Sequence, residues 1–331
     1  MLKQNRIPFA EPDLTSLESE YVQKAMSSGW VGSKGDYIDK FEEAFAKYIG
    51  VDHAITTSSG TSALQLAYLA CGLRDPKTIT VPENTFIATR NMATLITSQV
   101  MVKSSEDDTW NLKLSECNSD FVVGVHLYGN PVDMGQVYRA KYTFIEDCAQ
   151  ALGSRHRWKK CGSFGKASVF SFHSAKMITT GEGGVVCTDD ANVARRVRHL
   201  KNQSMTEPYK HDGLGFNFRM TNIQAAMGLA QLERIDELID KKRAITKFYE
   251  ENLSDGFIRQ KDTPHSFIVK WANAFRTNGP SGPIQAHLLQ SGIETRPGFS
   301  DDHTIVLPCS TKLTKDQLEF IVTEANQCMT S

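Results

Sequence analysis

At 331 residues, with 40% apolar and 23% charged, the chain has an ordinary globular composition and, at about 150 residues per domain, length for two domains. Lys+Arg 37 against Asp+Glu 38 leave a net charge of -1, which argues against a nucleic-acid partner and against an acidic solvating tail. The longest mostly apolar stretch, Ala63 to Leu73, falls short of the roughly 20 residues a membrane span needs, and the opening MLKQNRIPFAEPD lacks the apolar core of a secretory signal. Seven scattered cysteines without a C-x-x-C pair fit reduced thiols, so a cytoplasmic protein with no membrane partner is expected.

In chain order, Leu14–Ser28 and Asp36–Ile49 carry helical apolar spacing, and His53–Thr57 reads as a short buried strand stopped at Ser58-Ser59-Gly60. Thr61–Cys71 is helical and closed by Gly72. Thr78–Val81 is a strand ended by Pro82, Asn84–Thr97 a helix, and Val100–Lys103, Phe121–Val125, Tyr142–Glu146 and Ala167–Phe172 are strands. Strands alternating with helices predict an α/β fold: a mostly parallel central sheet with helices on both faces. Beyond residue 190 the pattern changes. Asp190–Asn202 and one long helix over Asn222–Leu253 are followed by a small mixed lobe with segments Ser266–Ala274, Ile284–Ser291, Ile293–Thr295 and Lys315–Cys328. The boundary is placed at 245, giving a large domain over 1–245 and a smaller C-terminal α/β domain over 246–331.

Ligands of parallel sheets sit at the carboxyl ends of strands, and four segments fall there. Ser58–Leu64, small hydroxyl residues with one glycine before a helix, is either a phosphate cradle or a plain N-cap. Glu146-Asp147, two acids ending an apolar strand, need a cationic partner, a protonated ring nitrogen or a metal, unless they cap a helix. Lys176, past a buried strand in a loop closed by Gly181-Glu182-Gly183-Gly184, can lose solvation and act as a nucleophilic amine, although a single lysine is more often solvated. Phe86 can stack on a planar ring or belong to the core. Together, a phosphate cradle, an aromatic plate, a carboxylate and an amine are the parts that pyridoxal phosphate requires. A nicotinamide dehydrogenase is poorly supported, because no G-x-G-x-x-G follows the first strand.

The segments SSGTSAL, ENTFIATRN, VHLYG, FIEDCAQALGS, FSFHSAK, TTGEGGVV and GFNFRMTNIQAAMGLAQLER resemble, in order from about Ile7 to Leu253, those of the DegT-type sugar-nucleotide aminotransferases of the aspartate-aminotransferase superfamily. Within that family the 4-amino-sugar synthases look nearest. The resemblance implies the fold-type-I transferase architecture and pyridoxal 5′-phosphate as cofactor, with no metal. It implies Lys176 as the lysine that tethers the cofactor and shuttles a proton, and Asp147 as partner of the pyridinium nitrogen. Gln150 would lie beside the ring oxygen, Phe86 on one face, and Gly60, Thr61 and Ser171 on the phosphate. Asn217 and Arg219 would reach across from the neighbouring subunit of a homodimer with a composite site. His173 and Glu182 match positions near the lysine, and Trp30 is a candidate acceptor contact. Lysine at 176, where dehydrating relatives have histidine, favours transamination, with glutamate as donor and a nucleotide-linked 4-keto-6-deoxyhexose as acceptor. The stretch after Arg296-Pro297 is shorter than the family loop over the sugar nucleotide. That trimming motivates the alternative of a cofactor-binding regulatory or scaffolding homologue.

Overall fold

The alternation of apolar runs and helical stripes folds into a seven-stranded sheet clad on both faces. The computed structural model describes residues 6–137 and 141–329. Strands β1 (His53–Thr57), β2 (Ile79–Pro82), β3 (Val100–Lys103), β4 (Phe121–Val125), β5 (Thr143–Asp147), β6 (Ala167–Ser171) and β7 (Gly184–Thr188) stand in the order β1-β7-β6-β5-β4-β2-β3. β2, β3, β4, β5 and β6 pair in parallel, while β7 runs antiparallel between β1 and β6. β7 is thus the exception in an otherwise parallel sheet.

The helices are α1 (Ser16–Ser27), α2 (Asp36–Ile49), α3 (Gly60–Cys71), α4 (Ala88–Thr94), α5 (Ala191–Lys201), α6 (Asn222–Glu233) and α7 (Ile235–Asn252). Side chains of a strand alternate between faces. Accordingly Val185 and Cys187 pack with Phe41 and Phe45 of α2, Leu232 of α6 and Leu238 of α7. Val186 faces the other way, into Leu64 and Tyr68 of α3 and Val197 of α5. Burying each large apolar side chain here contributes about 1.5–3 kcal/mol.

Two helices differ from the sequence reading. The expected Asn84–Thr97 helix shrinks to α4, because its flanks spend their polar side chains locally: Thr85 Oγ1 meets Thr89 Oγ1 at 3.1 Å, and Thr97 Oγ1 donates to the Lys77 carbonyl at 2.8 Å. The expected Asn222–Leu253 helix breaks at Arg234 (φ −100°, ψ 9°) into α6 and α7. Its guanidinium is held there by Asp13 (3.1 Å), Glu18 (2.9 Å) and Glu237 (3.3 Å).

Strands β8 (Phe257–Arg259), β9 (Asn273–Thr277), β10 (Arg296–Pro297) and β11 (Thr304–Leu307) form an antiparallel sheet ordered β8-β9-β11-β10, covered by α8 (Gly282–Gln290) and α9 (Lys315–Gln327). Residue 245 falls inside α7, where Ile245 and Tyr249 pack with Phe257, Phe275, Ile305 and Ile321. The segment expected at Ser266–Ala274 divides. Ser266–Phe267 pairs with Arg155–His156 of a short hairpin that periodicity had not indicated, and only its end enters β9. Ile293 pairs with Ile7 in a single bridge. Among the described residues no helix is long and apolar enough to cross a membrane.

Candidate active site

The carboxyl ends of β5 and β6 and the N-termini of α3 and α4 converge on a cavity of about 600 Å³. Gly60, Thr61, Phe86, Asp147, Gln150, Ser171, His173, Lys176 and Glu182 all line it, so most of the residues singled out in the sequence meet in one place.

Asp147 closes β5 and is 5% exposed. Its Oδ2 accepts from Thr89 Oγ1 at 2.8 Å and its Oδ1 from the Ala149 N–H at 3.1 Å. Among the described residues it has no cation within ion-pair distance. A carboxylate offers about four acceptor positions, so this buried anion faces the cavity with capacity to spare. A protonated ring nitrogen would complete it. Glu146, its neighbour on the strand, points to the opposite side and is fully satisfied. It accepts from the N–H groups of Gly162, Phe164 and Gly165 at 2.7–2.8 Å and from His126 Nε2 at 3.0 Å. His126 Nδ1 in turn accepts the Val132 N–H at 3.0 Å. His126, Glu146 and Cys148 lie close enough for a metal, but the histidine and the carboxylate are already engaged by the protein. The acidic pair therefore splits into a cavity acid and a structural one.

Lys176 follows β6 by five residues, with its N–H on the His173 carbonyl at 2.8 Å. Its Nζ lies 3.8 Å from the centroid of the Trp271 ring. Burial drives the ammonium down to about 8, against the opposing pull of Asp147. The amine can therefore be neutral and nucleophilic near physiological pH.

Ser59 caps α3 with a capping box that includes Ser62, leaving the N–H groups of Gly60 and Thr61 without partners among the described residues. A Cβ on Gly60 would stand 2.7 Å from Ser171 Cβ, so glycine lets the helix start touch the end of β6. Glycine at 184 serves the same packing, since a Cβ there would sit 2.5 Å from the Ser59 carbonyl oxygen. The cradle of two N–H groups and the hydroxyls of Thr61 and Ser171 suits a phosphate. Gln150 spends Oε1 on the Tyr128 N–H at 2.8 Å, leaving its NH₂ free among the described residues for a ring oxygen. These donors and this acceptor fit pyridoxal phosphate.

Phe86 is 56% exposed at the mouth and stands edge-on to Phe299 at 6.2 Å. Phe299 stacks on Tyr128 with centroids 5.3 Å apart and planes 10° from parallel. His173 Nε2 lies 3.8 Å from Glu182 Oε1 at the rim. Trp30, Asn217 and Arg219 do not line this chain's cavity. Trp30 is 59% exposed and accepts at its carbonyl from Asn222 Nδ2 at 2.7 Å. Asn217 Oδ1 accepts from Arg219 Nε at 3.1 Å.

Sequence reasoning missed Trp271, Tyr128, Phe299 and Arg296, all of which line the cavity. Tyr128 carried one signal: it stands before Gly129 in the quoted VHLYG segment, where its φ of 54° bends the chain after β4. The other three come from the C-terminal region, where the stretch after Arg296-Pro297 reads as the shortened loop over the sugar nucleotide but no single residue is picked out.

Residues 12–327 match the DegT/DnrJ/EryC1/StrS aminotransferase family. The GDP-perosamine synthase of Escherichia coli O157:H7 is 40% identical, over 90% of this chain and 86% of that protein. The GDP-perosamine synthase of Caulobacter vibrioides is 36% identical, over 95% of this chain and 90% of that one. Among solved structures, DesV of S. venezuelae superposes with a TM-score of 0.91 at 25% identity, covering 98% of this chain and 99% of the other. The chain belongs to the DegT/DnrJ/EryC1/StrS aminotransferase family, whose cofactor is pyridoxal phosphate.

Proposed function

We propose that this aminotransferase moves an amino group from glutamate to the keto carbon of a nucleotide-linked 4-keto-6-deoxyhexose, in the manner of a GDP-perosamine synthase. One observation carries the reading: a single cavity gathers the buried carboxylate of Asp147, the desolvated amine of Lys176 and the anion cradle at Gly60, Thr61 and Ser171. The 40% identity to a GDP-perosamine synthase supports the choice of acceptor. Nothing in the cavity or in the comparisons favours a non-catalytic homologue.

When bound, the cofactor supplies an aldehyde that condenses with amines and a ring that accepts an electron pair. Asp147 would hold the proton on the ring nitrogen, where its negative charge keeps that nitrogen cationic. Lys176 would bind the aldehyde carbon and, once released, carry a proton to and from the substrate carbon. Gln150 and Tyr128 would orient the ring, and Phe86 would cover one face. Asn217 and Arg219, outside their own cavity, would serve the phosphate of a second copy in a homodimer. The lobes 1–245 and 246–331 would close the cavity between them, with Phe299 and Arg296 coming from the smaller. A cytoplasmic setting is supported by the free state of all seven cysteines.

The deciding experiment supplies the protein with pyridoxal phosphate, glutamate and a panel of GDP-, dTDP- and UDP-linked 4-keto-6-deoxyhexoses, and reads the amine product by mass. An amino sugar from one of them is expected. A protein that develops no visible absorption band with the cofactor, or that aminates none of the panel, overturns the reading.

A further inference from the structure

A second buried lysine stands behind Lys176. Lys242, on α7, is 4% exposed, and its Nζ donates to the carbonyl of Trp271 at 2.9 Å and to that of Cys309. Among the described residues no carboxylate lies within ion-pair distance of it. Trp271 is the residue whose ring faces Lys176 Nζ at 3.8 Å, and its indole Nε1 donates to the Ala175 carbonyl at 2.6 Å. One side chain thus pins the backbone of the residue that covers the reactive amine. Between the two lysines lies a polar void of about 20 Å³, bordered also by Ser174, Gln231 and Thr311 and large enough for one water.

The charges around this void are unequal. Toward Lys176 face Asp147 from the end of β5, Cys309 from the stretch after β11, and Lys242 from α7. Glu11 and Asp13 border the far side, but Glu11 is paired with Lys312, and Asp13 with Arg234, Lys241 and the Thr311 hydroxyl. Lys242 is held by the two carbonyl dipoles of Trp271 and Cys309 and stands across the void from Lys176. The indole face by itself favours the ammonium form of Lys176; burial and the neighbouring cation act against it.

We propose that Lys242 is a positioning residue for Lys176: it fixes Trp271 over the Nζ and, against that ring's preference for the ammonium, sets a second positive charge behind it that favours the free amine. This rests on Lys176 being the cofactor lysine, and the test separates the two ideas. In protein stripped of cofactor, the rate at which trinitrobenzenesulfonate labels Lys176, read by peptide mass from pH 6 to 10, reports the free amine directly. Wild type is expected to show a midpoint near pH 8. Lys242→Met is expected to move it up by about half a unit, roughly a threefold gain in proton affinity, whereas Lys242→Arg keeps the wild-type midpoint. Lys242→Gln, which keeps an amide donor for the carbonyls but no charge, replaces the Met variant if that one does not fold, and is expected to shift the same way. A folded Met or Gln variant with the wild-type midpoint overturns the proposal, as does an Arg variant that shifts as far as Met. If wild type shows the midpoint near 8 yet gives no visible band with pyridoxal phosphate, the cofactor assignment fails and the lysine pair survives.

Discussion

At the scale of single residues, the site charges for its function in stability. Asp147 is buried with two hydrogen bonds and, among the described residues, no counter-ion, an arrangement that destabilises an empty protein. Asp147→Asn keeps the shape and removes the charge. Turnover is expected to fall by about 10²–10⁴-fold, while the cofactor-free protein melts about 1–2 °C higher for each kcal/mol of desolvation relieved. Calorimetry and steady-state kinetics on the same preparation check both signs. Lys176 obeys the same logic with the opposite charge. Its folded value near 8 lies below the unfolded value near 10.4, so the folded state binds the proton less tightly. The penalty is fully present below pH 8 and vanishes as pH rises through 10.4. Lys176→Met is therefore expected to melt higher than wild type at pH 7, by a margin that shrinks toward pH 10, and to form no visible band with the cofactor. These two residues were legible because strand-end chemistry and ordered motifs both point at them. Trp271 and Phe299 were not, because isolated aromatics carry no periodic signal and only tertiary folding brings them to the cavity.

At the scale of elements, most of the sheet was readable from apolar runs bounded by Gly, Pro and Ser. The departures have a common cause, side chains that bond locally or across the chain. Nothing in the 3–4 spacing of Leu229, Leu232, Ile235 and Leu238 shows that the helix breaks at Arg234, since the stripe continues through the break. The cause lies about 220 residues away, in Asp13 and Glu18. Removing the guanidinium leaves Glu18, largely buried, without its cation and Asp13 with Lys241 alone. Arg234→Ala is expected to destabilise by about 3 kcal/mol, measured by denaturant unfolding. Antiparallel β7 was equally invisible, because a strand's direction leaves no mark on its composition. Glu146 shows the converse, a conspicuous acid whose work is structural. Glu146→Ala removes the acceptor of three N–H groups, that of Gly162 buried, and is expected to lower the yield of folded protein more than Asp147→Asn does, as read by soluble fraction and circular dichroism.

At the scale of the molecule, the proposed composite site has a direct test. Chains carrying Lys176→Ala and chains carrying Asn217→Ala are each expected to be nearly inactive, yet mixing them after subunit exchange should restore about a quarter of wild-type activity, because half the dimers then hold one intact site of two. Absence of rescue places Asn217 in service of its own subunit. The small lobe was the least legible region: its strands are short, and Ser266–Phe267 leave it to pair with a hairpin more than 100 residues earlier. Helix α7 joins the regions, packing Leu238 on the large sheet and Tyr249 on the small one. Its 18 residues make a rod of about 27 Å. A tilt of about 5° at the Arg234 end would swing the far end by about 2 Å, with the Arg234 salt bridge as the fulcrum. Lesions at that fulcrum should change the gape of the cleft, and with it KM for the bulky acceptor, while leaving uptake of the vitamin untouched.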